Sequence, residues 1–295
     1  MEFRGCYVAI VTPFAKDGKL DEEGLRSNIE YLISKGAAGI VPCGTTGESA
    51  TLDWEEHNRV VDIAVEQAKG RVQVIAGAGS NNTKEAISAA QHAKEKGADA
   101  ILTITPYYNK PTQEGLFQHF KAIAENVEVP MVLYNVPGRT GVNMLPETVE
   151  RLCDFKSVVA VKEASGSVAQ VSEIHRRCGD RITILSGDDG LTLPMLSCGG
   201  KGVISVIGNI VPDKMSAMID SFLKNDTAAA LKIHEELAPL SKAVFIEANP
   251  VPIKACMDHL GLAAGPVRLP LVSMMEDNKK QLLSVLETYS LPKTS

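Results

Sequence analysis

The sequence predicts an α/β protein: a (β/α)8, or TIM, barrel with a C-terminal helical appendix. Eight short apolar runs rich in β-branched residues recur along residues 1–225, a helical pattern follows each run, and residues 226–295 contain no further run of this kind. Strand patterns that alternate with helical patterns are typical of parallel sheets. Because the runs are continuously apolar, both faces of the sheet should be covered, as they are in a closed barrel.

The eight predicted strands are spaced by segments long enough for a helix. They lie at residues 6–14, 39–44, 72–79, 100–106, 130–136, 158–164, 182–189 and 202–209. An open, doubly wound sheet is the alternative, and it often carries a glycine-rich dinucleotide loop. The segment GAGSNN at 77–82 lacks the third glycine of that loop, so the barrel is favoured.

Local signals mark the helices between the strands. Asp53 and Glu56 have the spacing of an N-cap and its N3 partner, as do Asn82 and Glu85. Thr112 is an expected N-cap for the segment that follows it. The remaining expected signals are Pro146 in a first turn and Gly36, Gly70 and Gly97 at helix ends.

The last part of the chain changes character after residue 225. Residues 226–295 predict three helices, at about 227–246, 250–261 and 274–290, and the segment NPVP at 249–252 separates the first two. We therefore expect a catalytic barrel at 1–225 and a C-terminal three-helix region at 226–295.

Composition and charge exclude several classes of function. The 295 residues carry a net charge of −6, and no cluster of Lys and Arg stands out, which argues against a nucleic-acid or anionic-membrane partner. No apolar run reaches the roughly 18 residues of a membrane span, and the N-terminus lacks a signal-peptide pattern, which predicts a cytoplasmic chain. The six cysteines form no C-x-x-C pair and are expected to be buried free thiols.

Polar side chains concentrate where the predicted strands end, which is the face that carries chemistry in such barrels. The relevant segments are GTTGES (44–49), TPYYNKP (105–111), YNVPGRTG (134–141), VKEASG (161–166) and SGDDG (186–190).

Lys162 lies in an otherwise apolar strand, where a charged side chain is rarely buried unless it is paired. Small residues at Val158, Ala160 and Ala164 are expected to share its face and leave room for a long side chain. A desolvated amine can attack a carbonyl and form a Schiff base. The alternatives are a Lys–Glu pair across the barrel and a lysine that extends to the rim. Glu163 should face the opposite way and is a poor partner.

Three further positions have both a chemical and a structural interpretation. Tyr134 could accept and return protons, or simply pack with its hydroxyl satisfied. Thr45 and Thr46 lie in a glycine-flanked turn that could bind a carboxylate, or form a plain turn. Arg139 could clamp a carboxylate bidentately, or make a salt bridge at the rim.

Two segments resemble other kinds of site but do not match them. Asp188 and Asp189 lack the further ligands that a metal site needs, so caps and surface hydrogen bonds are expected there. The segment CGGKG at 198–202 does not match the phosphate-binding pattern and should lie on the opposite face of the barrel.

The five strand-end segments, in this order, resemble those of the dihydrodipicolinate synthase family of pyruvate-dependent class I aldolases, and the likeness covers essentially the whole chain. The resemblance implies that pyruvate condenses on a lysine and that the resulting enamine attacks L-aspartate 4-semialdehyde. The product would be 4-hydroxy-tetrahydrodipicolinate, the entry to diaminopimelate and lysine. No cofactor or metal is implied, because the protonated imine is the electron sink.

The resemblance also assigns roles to individual residues. Lys162 matches the Schiff-base lysine and Tyr134 the proton-shuttling phenol. Thr45 and Tyr108 match the groups that complete the proton relay, with Tyr108 reaching in from a neighbouring subunit of a homotetramer, a dimer of dimers. The remaining matches are Thr46 for the pyruvate carboxylate, Arg139 for the semialdehyde carboxylate, and Gly187 and Ile204 for backbone contacts to the pyruvyl group.

The resemblance further implies a feedback site for L-lysine at a subunit interface. The matching positions are Ser49, Ala50, Trp54, His57, Asn81, Glu85 and Tyr107. Trp54 departs from the histidine found there in many bacterial members, although a tryptophan can still pack on a lysine ammonium.

Two other functions compete with this interpretation. An aldolase of the same fold that cleaves sialic acid or a 2-keto-3-deoxy sugar acid would keep the Lys and Tyr. Such enzymes generally lack an arginine at the position of Arg139, which weighs against them. A pyruvate-binding paralogue without turnover is the second alternative, and every catalytic position that it would have lost is occupied here.

Overall fold

The computed structural model describes residues 2–292. Eight parallel strands pair in chain order, and the last pairs with the first, so the sheet is a closed barrel. The strands are β1 Gly5–Ala9, β2 Gly39–Val41, β3 Gln73–Gly77, β4 Ala100–Ile104, β5 Met131–Asn135, β6 Val158–Glu163, β7 Thr183–Ser186 and β8 Gly202–Ser205. The predicted (β/α)8 class is confirmed, and the open doubly wound sheet is excluded.

The strands end earlier than the sequence predicts. The first predicted strand extends to residue 14, but β1 stops at Ala9, although Ile10 and Val11 are fully buried. The N–H of Val11 donates to the side chain of Asn209 instead of to a neighbouring strand. A run of apolar residues indicates burial and not strand pairing. Here the run continues beyond β1 into a buried loop at the barrel mouth.

Helices surround the barrel, and several short ones follow strand ends. They are α1 Glu22–Ser34, α2 Trp54–Ala68, α3 Thr83–Lys96, α4 Gln113–Asn126, α5 Pro137–Thr140, α6 Pro146–Leu152, α7 Val168–Cys178, α8 Thr192–Ser197, α9 Pro212–Leu223, α10 Thr227–Ala243, α11 Val251–His259 and α12 Glu276–Glu287. Asp53 and Glu56 form the predicted capping box, and Thr112 accepts from the N–H of Gly115. All three glycines expected at helix ends have positive φ.

The last three helices pack on one another and return the chain to the barrel. Helix α12 packs against both α10 and α11, and α10 packs against α9. The loop after α11 then comes back to the barrel mouth, where the N–H of Phe14 donates to the carbonyl of Ala264. This return places residues 248–271 against the loops that follow β1 and β2.

The core has two layers, one inside the barrel and one between the sheet and the helices. Inward-facing residues of the strands, among them Tyr7, Leu102, Leu185 and Ile204, form the inner layer. The outer layer holds most of the buried aliphatic side chains. Such continuous burial on both faces explains why the strands are apolar without alternation.

One expectation about the strand faces is wrong. Val158 packs in the outer layer and Val159 against the inner one, because the pairing of β5 with β6 shifts by one residue between Met131 and Val132. An extra residue in one strand moves the preceding side chains to the other face. Ala160 and Ala164 do share the inner face with Lys162, as expected.

The six cysteines are free, but they are not uniformly buried. Cys6, Cys43, Cys178 and Cys256 are buried, while Cys153 and Cys198 are half-buried. Over residues 2–292, no helix combines the length and apolarity needed to cross a membrane.

Candidate active site

Lys162 and Tyr134 are direct neighbours across the β5–β6 pair. The Lys162 residue is 6% exposed, and its Nζ lies 4.3 Å from the centroid of the Tyr134 ring. Tyr134 belongs to the inner layer of the barrel, so the two side chains project inward from adjacent strands. The amine therefore lies within the barrel, beside a phenol.

Room for the lysine stem depends on Gly187, the first residue after β7. A Cβ at this position would lie 2.7 Å from the Cβ of Ala164 and 3.1 Å from Cε of Lys162. Contacts this short require the neighbours to move, so a side chain at 187 would displace the lysine. Gly187 is held in place because its N–H donates to the carbonyl of Glu163.

Glu163 faces away from Lys162, as expected, and is buried in a polar network on the outer face. Its carboxylate accepts from the N–H of Ser165 at 2.7 Å, from Asn135 Nδ2 at 3.0 Å and from Gln170 Nε2 at 3.3 Å. Asn135 is the residue after Tyr134, and Glu163 is the residue after Lys162. The network therefore holds β5 and β6 in the register that pairs Tyr134 with Lys162.

The turn after β2 carries Thr45 and Thr46 between two glycines. Thr46 is buried, and its Oγ1 accepts from Asn249 Nδ2 at 3.0 Å. Glu48 closes the turn with φ of +52°, and its N–H donates to the carbonyl of Thr45. The hydroxyl of Thr12 donates to the carbonyl of Gly47 at 2.6 Å and so fixes the turn against the loop after β1.

Arg139 lies on the short helix α5, which begins at Pro137, and only Val136 separates this helix from β5. Pro137 suits the first position of a helix, because its missing N–H would have no partner there. The guanidinium of Arg139 contacts the carbonyl of Asn249, with an Nη2–O distance of 3.5 Å. Among the described residues, Arg139 makes no ion pair with a carboxylate, and its guanidinium is available to an anionic ligand.

Some of these groups line one cavity of about 500 Å³ at the barrel mouth. Thr45, Tyr134, Arg139 and Asn249 contribute to its walls. Lys162 contacts Tyr134, and Thr46 contacts Asn249, so both adjoin residues of the cavity wall. The structure thus brings together the lysine, the phenol, the threonine turn and the arginine that the sequence indicates.

Most of the residues matched to a lysine-binding site line the same cavity. Ser49, Ala50, Trp54, His57, Glu85 and Tyr107 contribute to its walls. Asn81 is linked to this group, because its Nδ2 donates to the carbonyl of Tyr107 at 3.1 Å. The rings of Trp54 and His57 meet edge to face with centroids 5.2 Å apart, and burial lowers the pKa of His57.

Tyr108 and Ile204 lie at opposite extremes of exposure. Tyr108 lies in the loop after β4 with φ of +71°, 89% of it is exposed, and it does not line the cavity of its own chain. Ile204 is buried on β8, inside the barrel, and pairs with Tyr7 of β1.

Asp189 is a correction to the expected surface role of the two aspartates after β7. It is 4% exposed, and its carboxylate accepts from the hydroxyl of Ser205 and from the N–H groups of Val206 and Ile207. Burial raises the pKa of Asp189. The neighbouring Asp188 caps the turn that follows it, as expected.

Sequence reasoning missed the contribution of the C-terminal segment to this site. The sequence pattern predicts only a helix break at Asn249, but this residue contacts both Thr46 and Arg139. No motif marks Lys254, but its Nζ makes a buried ion pair with Glu48 at 2.5 Å. For Asn249 and Lys254 the only local signal is a polar residue within a segment that is otherwise buried. This signal does not indicate which residue the side chain contacts.

Comparison with known proteins agrees with this geometry. The model of the dihydrodipicolinate synthetase family matches residues 2–289. The 4-hydroxy-tetrahydrodipicolinate synthase of Geotalea uraniireducens is 56% identical over 289 residues, covering 98% of this chain and 99% of that protein.

Two solved structures give the same result. Dihydrodipicolinate synthase from Aquifex aeolicus is 45% identical with a TM-score of 0.97, covering 99% of this chain and 100% of the other. The enzyme of Cyanidioschyzon merolae, solved with lysine bound, is 41% identical with a TM-score of 0.94, covering 97% of each chain. The chain belongs to the dihydrodipicolinate synthetase family.

Proposed function

We propose that this protein is a class I aldolase-type lyase that condenses pyruvate with L-aspartate 4-semialdehyde to give 4-hydroxy-tetrahydrodipicolinate. The observation that carries the proposal is Lys162, a buried lysine without an ion-pair partner among the described residues, held beside Tyr134 inside the barrel of a member of this family. A structural lysine in such a place is expected to be paired.

The neutral Nζ of Lys162 attacks C2 of pyruvate, and loss of water gives a protonated imine. Removal of a proton from C3 gives an enamine, whose C3 attacks the aldehyde carbon of the semialdehyde and forms the new carbon–carbon bond. The amino nitrogen of the semialdehyde then attacks C2 and displaces Lys162, which closes the ring. Tyr134 is the adjacent group that accepts and returns the protons.

The two carboxylates need separate binding groups. Thr46 and its turn bind the pyruvate carboxylate, and Arg139 binds the semialdehyde carboxylate at the mouth of the cavity. Thr45 continues the proton relay from Tyr134, and backbone groups of Gly187 and Ile204 contact the pyruvyl group. Arg139 favours an acceptor with a carboxylate over the polyol acceptors of sugar-acid aldolases.

The test of the first step is borohydride reduction in the presence of pyruvate, followed by mass spectrometry. Reduction of the imine should leave a stable adduct on the peptide that contains Lys162, and Lys162→Ala should show neither adduct nor turnover while circular dichroism confirms its fold. An adduct elsewhere, or turnover by Lys162→Ala, would refute the assignment.

The acceptor is tested separately. Semialdehyde, N-acetylmannosamine and glyceraldehyde are offered to the pyruvate-loaded enzyme, and consumption of each is followed. We expect turnover with the semialdehyde alone. If a pyruvate adduct forms on Lys162 but no acceptor is consumed, the protein is instead a pyruvate-binding paralogue without turnover.

We also propose that the active form is a homotetramer in which Tyr108 enters a neighbouring subunit's site. An exposed tyrosine at 89%, on the loop that follows β4, is consistent with such a role. Lys162→Ala and Tyr108→Ala chains, each inactive alone, should regain activity when co-assembled, because one chain lends its tyrosine to the other. Failure to complement in confirmed mixed assemblies would contradict a shared site.

We propose, finally, that L-lysine binds the residues from Ser49 to Tyr107 that share the cavity. Trp54 takes the place of an imidazole there and packs its ring on the ligand. Inhibition by L-lysine should be measurable with the parent and altered in Trp54→His. If lysine causes no inhibition and no binding heat, the site is not functional here.

A further inference from the structure

Asn249 touches both of the groups to which carboxylate binding is assigned. Its Nδ2 donates to Thr46 Oγ1 at 3.0 Å, and its main-chain oxygen accepts from Arg139 Nη2 at 3.5 Å. The residue is 5% exposed and contributes to the wall of the cavity. It comes from the segment before α11, far along the chain from either partner.

The contact with Thr46 has a chemical consequence. A hydroxyl has a single proton and two acceptor lone pairs. Because the Asn249 amide donates to Thr46, it occupies a lone pair, and the Thr46 proton is left to be donated elsewhere. No other described group hydrogen-bonds with Thr46 Oγ1.

We infer that Asn249 is a positioning residue that fixes the Thr46 hydroxyl as a hydrogen-bond donor for the carboxylate of the keto acid. This inference rests on the proposed function, because it assigns a direction to the group that binds pyruvate. Without the amide, the Thr46 hydroxyl is free to rotate and can turn an oxygen lone pair toward the ligand. A carboxylate accepts hydrogen bonds, so it binds less well to a lone pair than to the hydroxyl proton.

A second observation separates this role from simple packing. Asn249 Oδ1 is buried and has no hydrogen-bond partner. An asparagine retained only for structure is expected to have its buried polar atoms satisfied. In Asn249 the Nδ2 atom is hydrogen-bonded to Thr46 and the Oδ1 atom has no partner, which is consistent with a residue at a ligand-binding site.

The two segments that meet at this contact are fixed to each other by charge. Glu48 Oε1 pairs with Lys254 Nζ at 2.5 Å, with both side chains at most 2% exposed. Glu48 Oε2 also accepts from the N–H of Arg268 at 3.0 Å. The Thr46 turn and the Asn249 segment therefore keep a fixed separation, which a directed hydrogen bond requires.

The test is a double-mutant cycle of Asn249→Ala and Thr46→Val, read as the pyruvate concentration that gives half-maximal borohydride trapping on Lys162. Asn249→Ala alone should raise that concentration about three- to tenfold, the usual range for one hydrogen bond. In the Thr46→Val background, where no hydroxyl remains to orient, the same change should have almost no further effect. Asn278→Ala, which removes a half-buried asparagine that donates to Glu247 and does not line the cavity, is the matched control.

Each outcome decides between the possibilities. Equal effects of Asn249→Ala in both backgrounds would overturn the inference and leave a structural role. The KM for the semialdehyde should change little, because the main-chain contact with Arg139 survives the substitution. If Asn249→Ala does not fold, Asn249→Ser replaces it in the cycle.

Failure of the proposed function is distinguishable from failure of this inference. In the first case the parent protein itself forms no pyruvate adduct on Lys162. In the second the parent forms the adduct, but the cycle shows no coupling between the two side chains.

Discussion

Lys162 and Lys254 are the two buried lysines among residues 2–292, and their surroundings differ. Lys254 is paired with Glu48 and also donates to the carbonyl of Pro266 at 2.9 Å. Lys162 has the Tyr134 ring beside its Nζ and no ion pair with any described residue. Burying a charge without a partner is costly, so an unpaired lysine is kept for chemistry more readily than for stability.

Arg139→Ala should separate the two half-reactions. Under the proposed function Arg139 binds the carboxylate of the semialdehyde and not that of pyruvate, so trapping of pyruvate on Lys162 should stay within about twofold of the parent. Condensation should fall about 100-fold or more, since a bidentate charged hydrogen bond is lost. The checks are borohydride trapping and steady-state turnover with the semialdehyde, and equal losses in both would give Arg139 another role.

Gly187→Ala should impair imine formation by crowding the lysine. The new Cβ would meet Cε of Lys162 and the Cβ of Ala164 at distances that force a shift. We expect trapping to slow about tenfold, with a stability loss of about 1–3 kcal/mol from overpacking. Gly190→Ala is the control, because its Cβ would make only an ordinary contact with Asp188; similar kinetics for both variants would contradict this account.

At the scale of elements, local rules placed the helix ends well and the strand faces less well. The capping box of α2 forms from a pattern four residues long, so nothing distant is needed to specify it. The bulge in β6 depends instead on how β5 pairs with it, and it moved Val158 to the outer layer. The register of strand pairing depends on two segments together, so it cannot be predicted from the sequence of either strand alone.

Helix α4 carries a buried histidine that should make stability depend on pH. Burial lowers the pKa of His119 from 6.5 to about 4. The unfolded chain takes up a proton below about pH 6.5 while the folded protein does not, so stability is complete above pH 6.5 and is lost as pH falls towards 4. The loss from this residue should be about 2–3 kcal/mol.

His119→Gln removes this titration, and the measurement is the free energy of unfolding by urea at pH 7, 6, 5 and 4. The variant should be less stable than the parent at pH 7 but lose less on acidification. His234→Gln, in α10, is the control and should follow the parent. Parallel curves for the parent and His119→Gln would contradict the prediction.

At the scale of the whole molecule, the C-terminal helices are joined to the barrel mouth by charge. Arg268 pairs with Glu56 through both Nη atoms at 2.6 Å, and its guanidinium carbon lies 4.1 Å from the centroid of the Phe14 ring. Lys254 Nζ approaches the same ring at 4.4 Å. Lys254 and Arg268 thus join α11 and the segment after it to Glu48 in the turn after β2, to Glu56 in α2 and to Phe14 in the loop after β1.

Lys254→Met should destabilise the protein by about 3–5 kcal/mol, because it leaves the Glu48 carboxylate buried without an ion-pair partner. The double variant Glu48→Gln with Lys254→Met should recover part of this loss. Lys214→Met, which breaks the exposed pair with Glu236, should cost about 1 kcal/mol or less. The measurement is denaturant unfolding at pH 7, and similar losses for the buried and exposed variants would contradict it.

The sequence by itself determined the barrel, the helix boundaries and the residues that face its mouth, because apolar period, caps and strand-end motifs are local properties of the chain. Lys162, Tyr134, Thr45 and Arg139 were all identifiable in this way. Only the tertiary structure decided what holds them: Asn249 meets Thr46 across 203 residues, and Lys254 meets Glu48 across 206. A hydrogen bond or ion pair between such distant segments depends on the closed barrel and on the return of the C-terminal helices to its mouth, and no window of sequence contains both partners.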